Sequence, residues 1–165
     1  MERDSVLAIV TALEERRVRY LIAGGLAVVA HGYLRFTADV DLLVALDGDN
    51  PERALAALGQ LGYRPRAPVA IGDFADPVMR ERWVREKNMT VFSLFSDRHR
   101  ATEVDLFVEP PIAFDDAWAR AVRKEVAPGL EAFFCSREDL IAMKSETGRP
   151  VDLEDIRRLK ELDER

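Results

Sequence analysis

The sequence predicts an α/β (α+β) fold: a mixed β-sheet flanked by helices, with a helical C-terminal tail. Three observations point to it. Amphipathic runs with helical spacing alternate with short apolar runs, so helix, strand, helix, strand and helix follow one another over residues 4–61. Residues 89–95 and 103–108 then look like the two arms of a hairpin. Beyond Ser136 the pattern is helical on both sides of a break at Gly148 and Pro150.

The elements follow in order. Val6, Leu7, Ile9, Val10 and Leu13 mark the buried stripe of a first helix over 4–17. A strand over 19–23 ends at Gly24-Gly25, and a short helix over 26–31 stops at Gly32. Residues 39–46 form the clearest strand, with Val40, Leu42, Val44 and Leu46 on one face and Asp39, Asp41, Leu43 and Ala45 on the other. Pro51 opens a helix over 51–61, and Gly62 lies just past its end. Residues 62–77 read as a short strand or loop, and 77–87 as a helix. After the hairpin, Pro110-Pro111 ends the strand, 114–124 reads as helix, and 130–134 is a short apolar run. Ser136, with Asp139 three residues on, caps the first of two closing helices.

A chain of 165 residues fits one domain, here a core over 1–135 and a C-terminal helical segment over 136–165. Hydrophobic residues at 48% and charged ones at 33% give the balance of a globular protein. No apolar run approaches the roughly 20 residues needed to cross a bilayer, and the amino terminus resembles no signal peptide, so a cytoplasmic protein is expected. The lone Cys135 lies in an apolar run and reads as packing. His31 and His99 read as packed or turn histidines. A net charge of −6 argues against nonspecific coating of nucleic acid. Basic residues gathered at 80–87 and 98–100 still allow a polyanion to be steered to one face.

Side chains repeat every two residues on a strand, so Asp39 and Asp41 leave one face with Cα atoms about 6.6 Å apart. Both can reach one hard cation such as Mg²⁺ or Mn²⁺, which takes oxygen ligands and keeps positions open for phosphates. Asp105 repeats the acidic and apolar alternation on another strand, and the three carboxylates converge if the two strands are neighbours. Three such charges repel unless cations neutralise them. The competing reading is a row of solvated aspartates, which the low occurrence of Asp in strands disfavours. Gly24-Gly25 offers backbone N–H groups to a phosphate, although many strand-to-helix turns need glycine for steric reasons alone. Arg35 either holds a phosphate or neutralises Asp39 and Asp41.

The strings Ala23-Gly24-Gly25 and Asp39-Val40-Asp41-Leu42 resemble the signature of the nucleotidyltransferase superfamily. Ala27, His31-Gly32, Arg35 and Thr37 between them, and Lys144, Gly148-Arg149, Asp152, Asp155-Ile156 and Leu159 in the tail, look like its minimal branch. That branch is related to abortive-infection and toxin nucleotidyltransferases. The resemblance implies that Asp39 and Asp41 hold the divalent metal, and that Asp105 completes the site and assists deprotonation of the acceptor. It also implies that Gly24, Gly25, Arg35, Thr37, Lys144 and Arg149 bind the nucleotide. Many members carry serine where Gly25 stands, so backbone donors alone are expected at that point. Asp152 and Asp155 either orient the cations or cap the last helix, and capping is the expectation.

The reaction so implied transfers a nucleoside monophosphate from a nucleoside triphosphate to an acceptor and releases pyrophosphate. RNA ends such as tRNA, a partner protein and a small molecule all remain open as acceptors, with residues 66–88, including Phe74 and Trp83, as the expected acceptor-side surface. The alternative is a noncatalytic binding module of the same fold, or one half of a toxin–antitoxin pair. Two other Asp-x-Asp enzymes fit less well. A sugar-nucleotide glycosyltransferase needs neither Gly-Gly nor a distant third Asp, and an Asp-nucleophile phosphatase usually wants Thr or Val where Leu43 stands.

Overall fold

The computed structural model describes residues 1–163. A seven-stranded mixed sheet runs β3-β4-β5-β2-β1-β7-β6, built from β1 (Tyr20–Ile22), β2 (Asp39–Val44), β3 (Arg64–Pro65), β4 (Val91–Phe95), β5 (Glu103–Phe107), β6 (Val122–Ala127) and β7 (Leu130–Phe134). The helices are α1 (Arg3–Glu15), α2 (Gly24–Ala30), α3 (Asn50–Gln60), α4 (Pro77–Lys87), α5 (Phe114–Ala119), α6 (Arg137–Thr147) and α7 (Pro150–Asp163), with a 3-10 turn at Ile71–Ala75. Central β2 pairs antiparallel with β1 and parallel with β5. No helix among the described residues is long and apolar enough to cross a membrane.

The period-two pattern decides what the sheet does. Val40 and Leu42 of β2, Phe92 and Leu94 of β4, and Val104 and Leu106 of β5 are buried, and they join α1 and α3 in one contiguous core. Between them, Ser93, Asp105 and Phe107 are half-buried, so alternate residues of β4 and β5 remain open to a cleft. Toward the far end of β2 the alternation gives way. Leu43 and Ala45 are buried, because this strand has neighbours on both sides and is covered beyond Asp41.

Most helix limits follow local chemistry. Ser136 Oγ accepts from the Asp139 N–H at the start of α6, and Gly148 ends it in the left-handed region at φ 63°. Pro150 then opens α7.

The expected helix over 114–124 is corrected. It ends at Ala119, and Val122–Ala127 is instead an edge strand paired antiparallel with β7. Its run Val-Arg-Lys-Glu-Val suits either period. Pairing with the apolar β7 across the turn at Gly129, with Arg123 ion-paired to Glu131, favours the strand.

Phe74 and Trp83 are also corrected, since they are not acceptor-side surface. Both are buried and stack on Phe92, with ring centroids 5.5 and 5.1 Å away. Arg80 is buried and donates to the Phe74 carbonyl, while Arg82 and Arg85 pair with Glu86 and Glu81 on their own helix. Cys135 is fully buried, and burial pushes its thiol up to about 12, in keeping with packing. His31 lies 2.8 Å from the Cys135 carbonyl, and His99 stacks on Tyr63.

Candidate active site

Parallel pairing of β2 with β5 puts Asp41 directly opposite Asp105, and Asp39 opposite Glu103. Strands far apart in the chain therefore deliver a row of carboxylates to one sheet face. On the other side of β5, Ser93 is the register partner of Asp105 and hydrogen bonds to its side chain. Burial, then Asp105, then Asp39 push Asp41 up to about 6, while Lys144 and Arg149 pull the other way. Asp105 is also raised, first by burial and then by Asp39 and Glu103, against the Ser93 hydrogen bond. Glu103 is held below the usual carboxylate range by the hydrogen bonds it accepts from Arg66.

Above this row lies the glycine turn that begins α2. Gly24 sits at φ 57°, and a Cβ on it would fall 1.9 Å from Asp41 Oδ2, so only glycine lets the main chain pass so close to the carboxylate. The Gly24→Ala variant is expected to lose about 1–3 kcal/mol of stability, from left-handed strain and the displaced Asp41. It should also lose most nucleotide binding, and urea melts with nucleotide titration of the folded protein check both.

Gly25 is closed in as well. A Cβ there would lie 2.6 Å from Thr37 Oγ1 and 2.7 Å from Arg35 Nη2. A hydroxyl and a guanidinium therefore fill the space that a side chain at this position would take.

The cationic side comes from the end of the chain. Lys144 Nζ is buried and lies 2.9 Å from Asp152 Oδ1 and 2.8 Å from Asp155 Oδ2. Arg149 Nε lies 2.6 Å from Asp152 Oδ2, and Arg35 Nε lies 3.0 Å from Asp155 Oδ1. Asp152 and Asp155 thus hold cations, which corrects the capping expectation. Both are buried, and each closes an ion pair across elements that a helix-capping role would leave open. Arg35 pairs with Asp155 and donates to the Phe36 carbonyl. Burial works against ionisation of Asp152, but hydrogen bonds from Arg149, Thr147 and Lys144 outweigh it and hold the carboxyl well below its ordinary value.

Every sequence-predicted site residue meets in one cleft of about 780 Å³: Gly24, Gly25, Arg35, Thr37, Asp39, Asp41, Asp105, Lys144 and Arg149 all line it. Residues not singled out from the sequence are Ser93 and Glu103, the register partners of Asp105 and Asp39, and Glu109, which also lines the cleft. The signal for the first two was present, since Glu103 precedes Asp105 by one strand period and Ser93 lies at the same phase of β4.

The donor set suits a hard cation. All donors on the acidic row are carboxylate oxygens, and their mutual repulsion favours a positive ion. Among the described residues no three acidic, histidine or cysteine side chains already form a ligand cluster. Mg²⁺ is commonly held by one or two carboxylates plus substrate phosphates, so the acidic row has the donor chemistry for an ion that arrives with a triphosphate.

The fold is that of the nucleotidyltransferases. It is similar to the lincosamide antibiotic adenylyltransferase LnuA, solved with lincomycin bound, at TM-score 0.65 and 16% identity over 98% of each chain. It is also similar to ANT(2")-Ia in complex with adenylyl-2"-tobramycin, at TM-score 0.54 and 17% identity, covering 97% of this chain and 93% of the other. No family model and no curated protein matches the sequence.

Proposed function

We propose that this protein is a metal-dependent nucleotidyltransferase that moves a nucleoside monophosphate from a nucleoside triphosphate to a hydroxyl of a small molecule. The observation that carries the reading is the in-register pair Asp41 and Asp105 beneath a glycine turn, with Lys144 and Arg149 close enough to offset the charge on Asp41. In this reading the N–H groups of Gly24 and Gly25, the Thr37 hydroxyl, and the Arg35, Lys144 and Arg149 cations grip the triphosphate.

The acceptor oxygen attacks the α-phosphorus, the bond from that phosphorus to the bridging oxygen breaks, and pyrophosphate leaves. Asp105, directly opposite Asp41 on the neighbouring strand, receives the acceptor proton. Held by Asp39, Asp41 and Asp105, the divalent cation would supply charge neutralisation on the phosphates. The protein's larger task is to orient the two reactants.

A small acceptor is favoured over RNA by the acidic and apolar character of the rest of the cleft. Met89, Val91, Phe107, Glu109 and Glu146 line it, and the basic run of α4 is engaged with its own acids. The two similar structures, one solved with lincomycin and one with an adenylylated tobramycin, support the same choice.

The test is to incubate the chain with Mg²⁺ and each α-phosphate-labelled triphosphate. Separate acceptor pools would hold hydroxyl-bearing small molecules, tRNA and cell protein. Label in the small-molecule pool is expected. Label only in tRNA or protein would overturn the acceptor, and no label together with no Mg²⁺-dependent nucleotide binding would overturn the enzyme.

A further inference from the structure

Behind the cationic wall of the cleft lies Asp155, which is fully buried on α7 and does not line the cleft. Its two carboxylate oxygens hold cations from two different parts of the chain, Oδ2 facing Lys144 Nζ at 2.8 Å and Oδ1 facing Arg35 Nε at 3.0 Å. Neither oxygen makes a well-directed hydrogen bond, so charge is what holds it. Replacing a whole buried ionic cluster by apolar residues often costs a fold nothing, so core packing alone gives little reason for a charged cluster here.

The geometry points to Asp155 as a positioning residue for the nucleotide, acting through Lys144 and Arg35. This assignment rests on the nucleotidyl-transfer reading above. An ammonium has three N–H donors; Lys144 gives one to Asp152 and faces Asp155 through charge alone, so donors remain for a phosphate. The same carboxylate draws Arg35 in so that its Nη2 lies 2.7 Å from where a Gly25 Cβ would stand. Arg35, Lys144 and Arg149 against Asp152 and Asp155 also leave one net positive charge beside the glycine turn. Asp155 thus ties the last helix to the segment ahead of β2 and holds two cleft-lining cations at once.

The test measures the Kd of a nonhydrolysable ATP analogue with Mg²⁺, together with thermal melts, on the full chain. With Asp155→Asn the Kd should rise about tenfold at a temperature where the variant remains folded. In a Lys144→Gln background the same change should cost threefold or less, because the residue acts partly through that lysine. If Asp155→Asn does not fold, Asp155→Glu, which keeps the charge and shifts its position, should show the same pattern of weakened and non-additive binding. A folded variant that binds within twofold of the unsubstituted chain would overturn the assignment, as would a full effect that persists in the Lys144→Gln background. If the unsubstituted chain binds no analogue with Mg²⁺, the nucleotidyl-transfer reading falls, and the role of Asp155 with it.

Discussion

Asp41→Asn is expected to reduce nucleotidyl transfer by about a thousandfold or more while leaving the metal-free protein folded and more stable than the unsubstituted chain. The loss of activity follows from removing a carboxylate from the row that faces the phosphates, where one well-placed electrostatic group is commonly worth about 10²–10³ in rate. The gain in stability follows from burial. Asp41 is raised from 3.8 to about 6, so its ionised form is less comfortable in the folded chain than in the unfolded one. An acid raised in this way binds its proton more tightly when folded. Its destabilising effect is therefore fully present above about pH 6 and is relieved as the pH falls toward 3.8. A tenfold change in proton affinity is worth about 1.4 kcal/mol and the shift spans a little over two such factors, so asparagine should add about 3 kcal/mol at pH 7 and flatten stability between about pH 4 and 6. Denaturant melts across that range without metal, beside a transfer assay with Mg²⁺, make the check. Equal stability at pH 7 and an unchanged slope would show that the Asp41 charge is not buried at a cost.

Lys144→Met should do the opposite to stability. The lysine is buried between Asp152 and Asp155, and methionine keeps its length while leaving both carboxylates short of a cation. Breaking a buried pair from one side commonly costs about 3–5 kcal/mol. Arg149 and Arg35 still reach the two carboxylates, so about 3 kcal/mol is expected. For a chain of this size that lowers the melting temperature by roughly 6–12 °C. Nucleotide binding should weaken as well. Asp152 is held below its ordinary pKa, so its share of stability is present above about pH 4 and disappears as the pH falls through the depressed folded value. The melting deficit of the variant should therefore narrow in acid. A melting temperature within about 2 °C of the unsubstituted chain would mean that the cluster carries little energy.

The elements with strong local signals could be read from the chain. Asp39 and Asp41 share a face because a strand repeats every two residues, and α6 begins and ends where Ser136 and Gly148 require it. Where local preferences balance, the sequence misleads. Residues 122–127 carry charges and valines that satisfy either period, and only a neighbouring strand selects one. Phe74 and Trp83 lie in a segment rich in proline, glycine and arginine that looks like surface. Their burial depends on Phe92, which is not adjacent in sequence.

The sequence by itself determined the chemical inventory: the paired aspartates, a third at matching alternation, the glycine turn and the cations of the tail. These are short-range facts, because strand period and turn sterics act over a few residues. Only the tertiary structure decided that Asp41 stands opposite Asp105, that the glycines clear the space above it, and that Asp152 and Asp155 engage cations instead of capping a helix. Those outcomes depend on which strand pairs with which and on which charges are buried together. Such choices lower the free energy only when segments far apart in the chain meet.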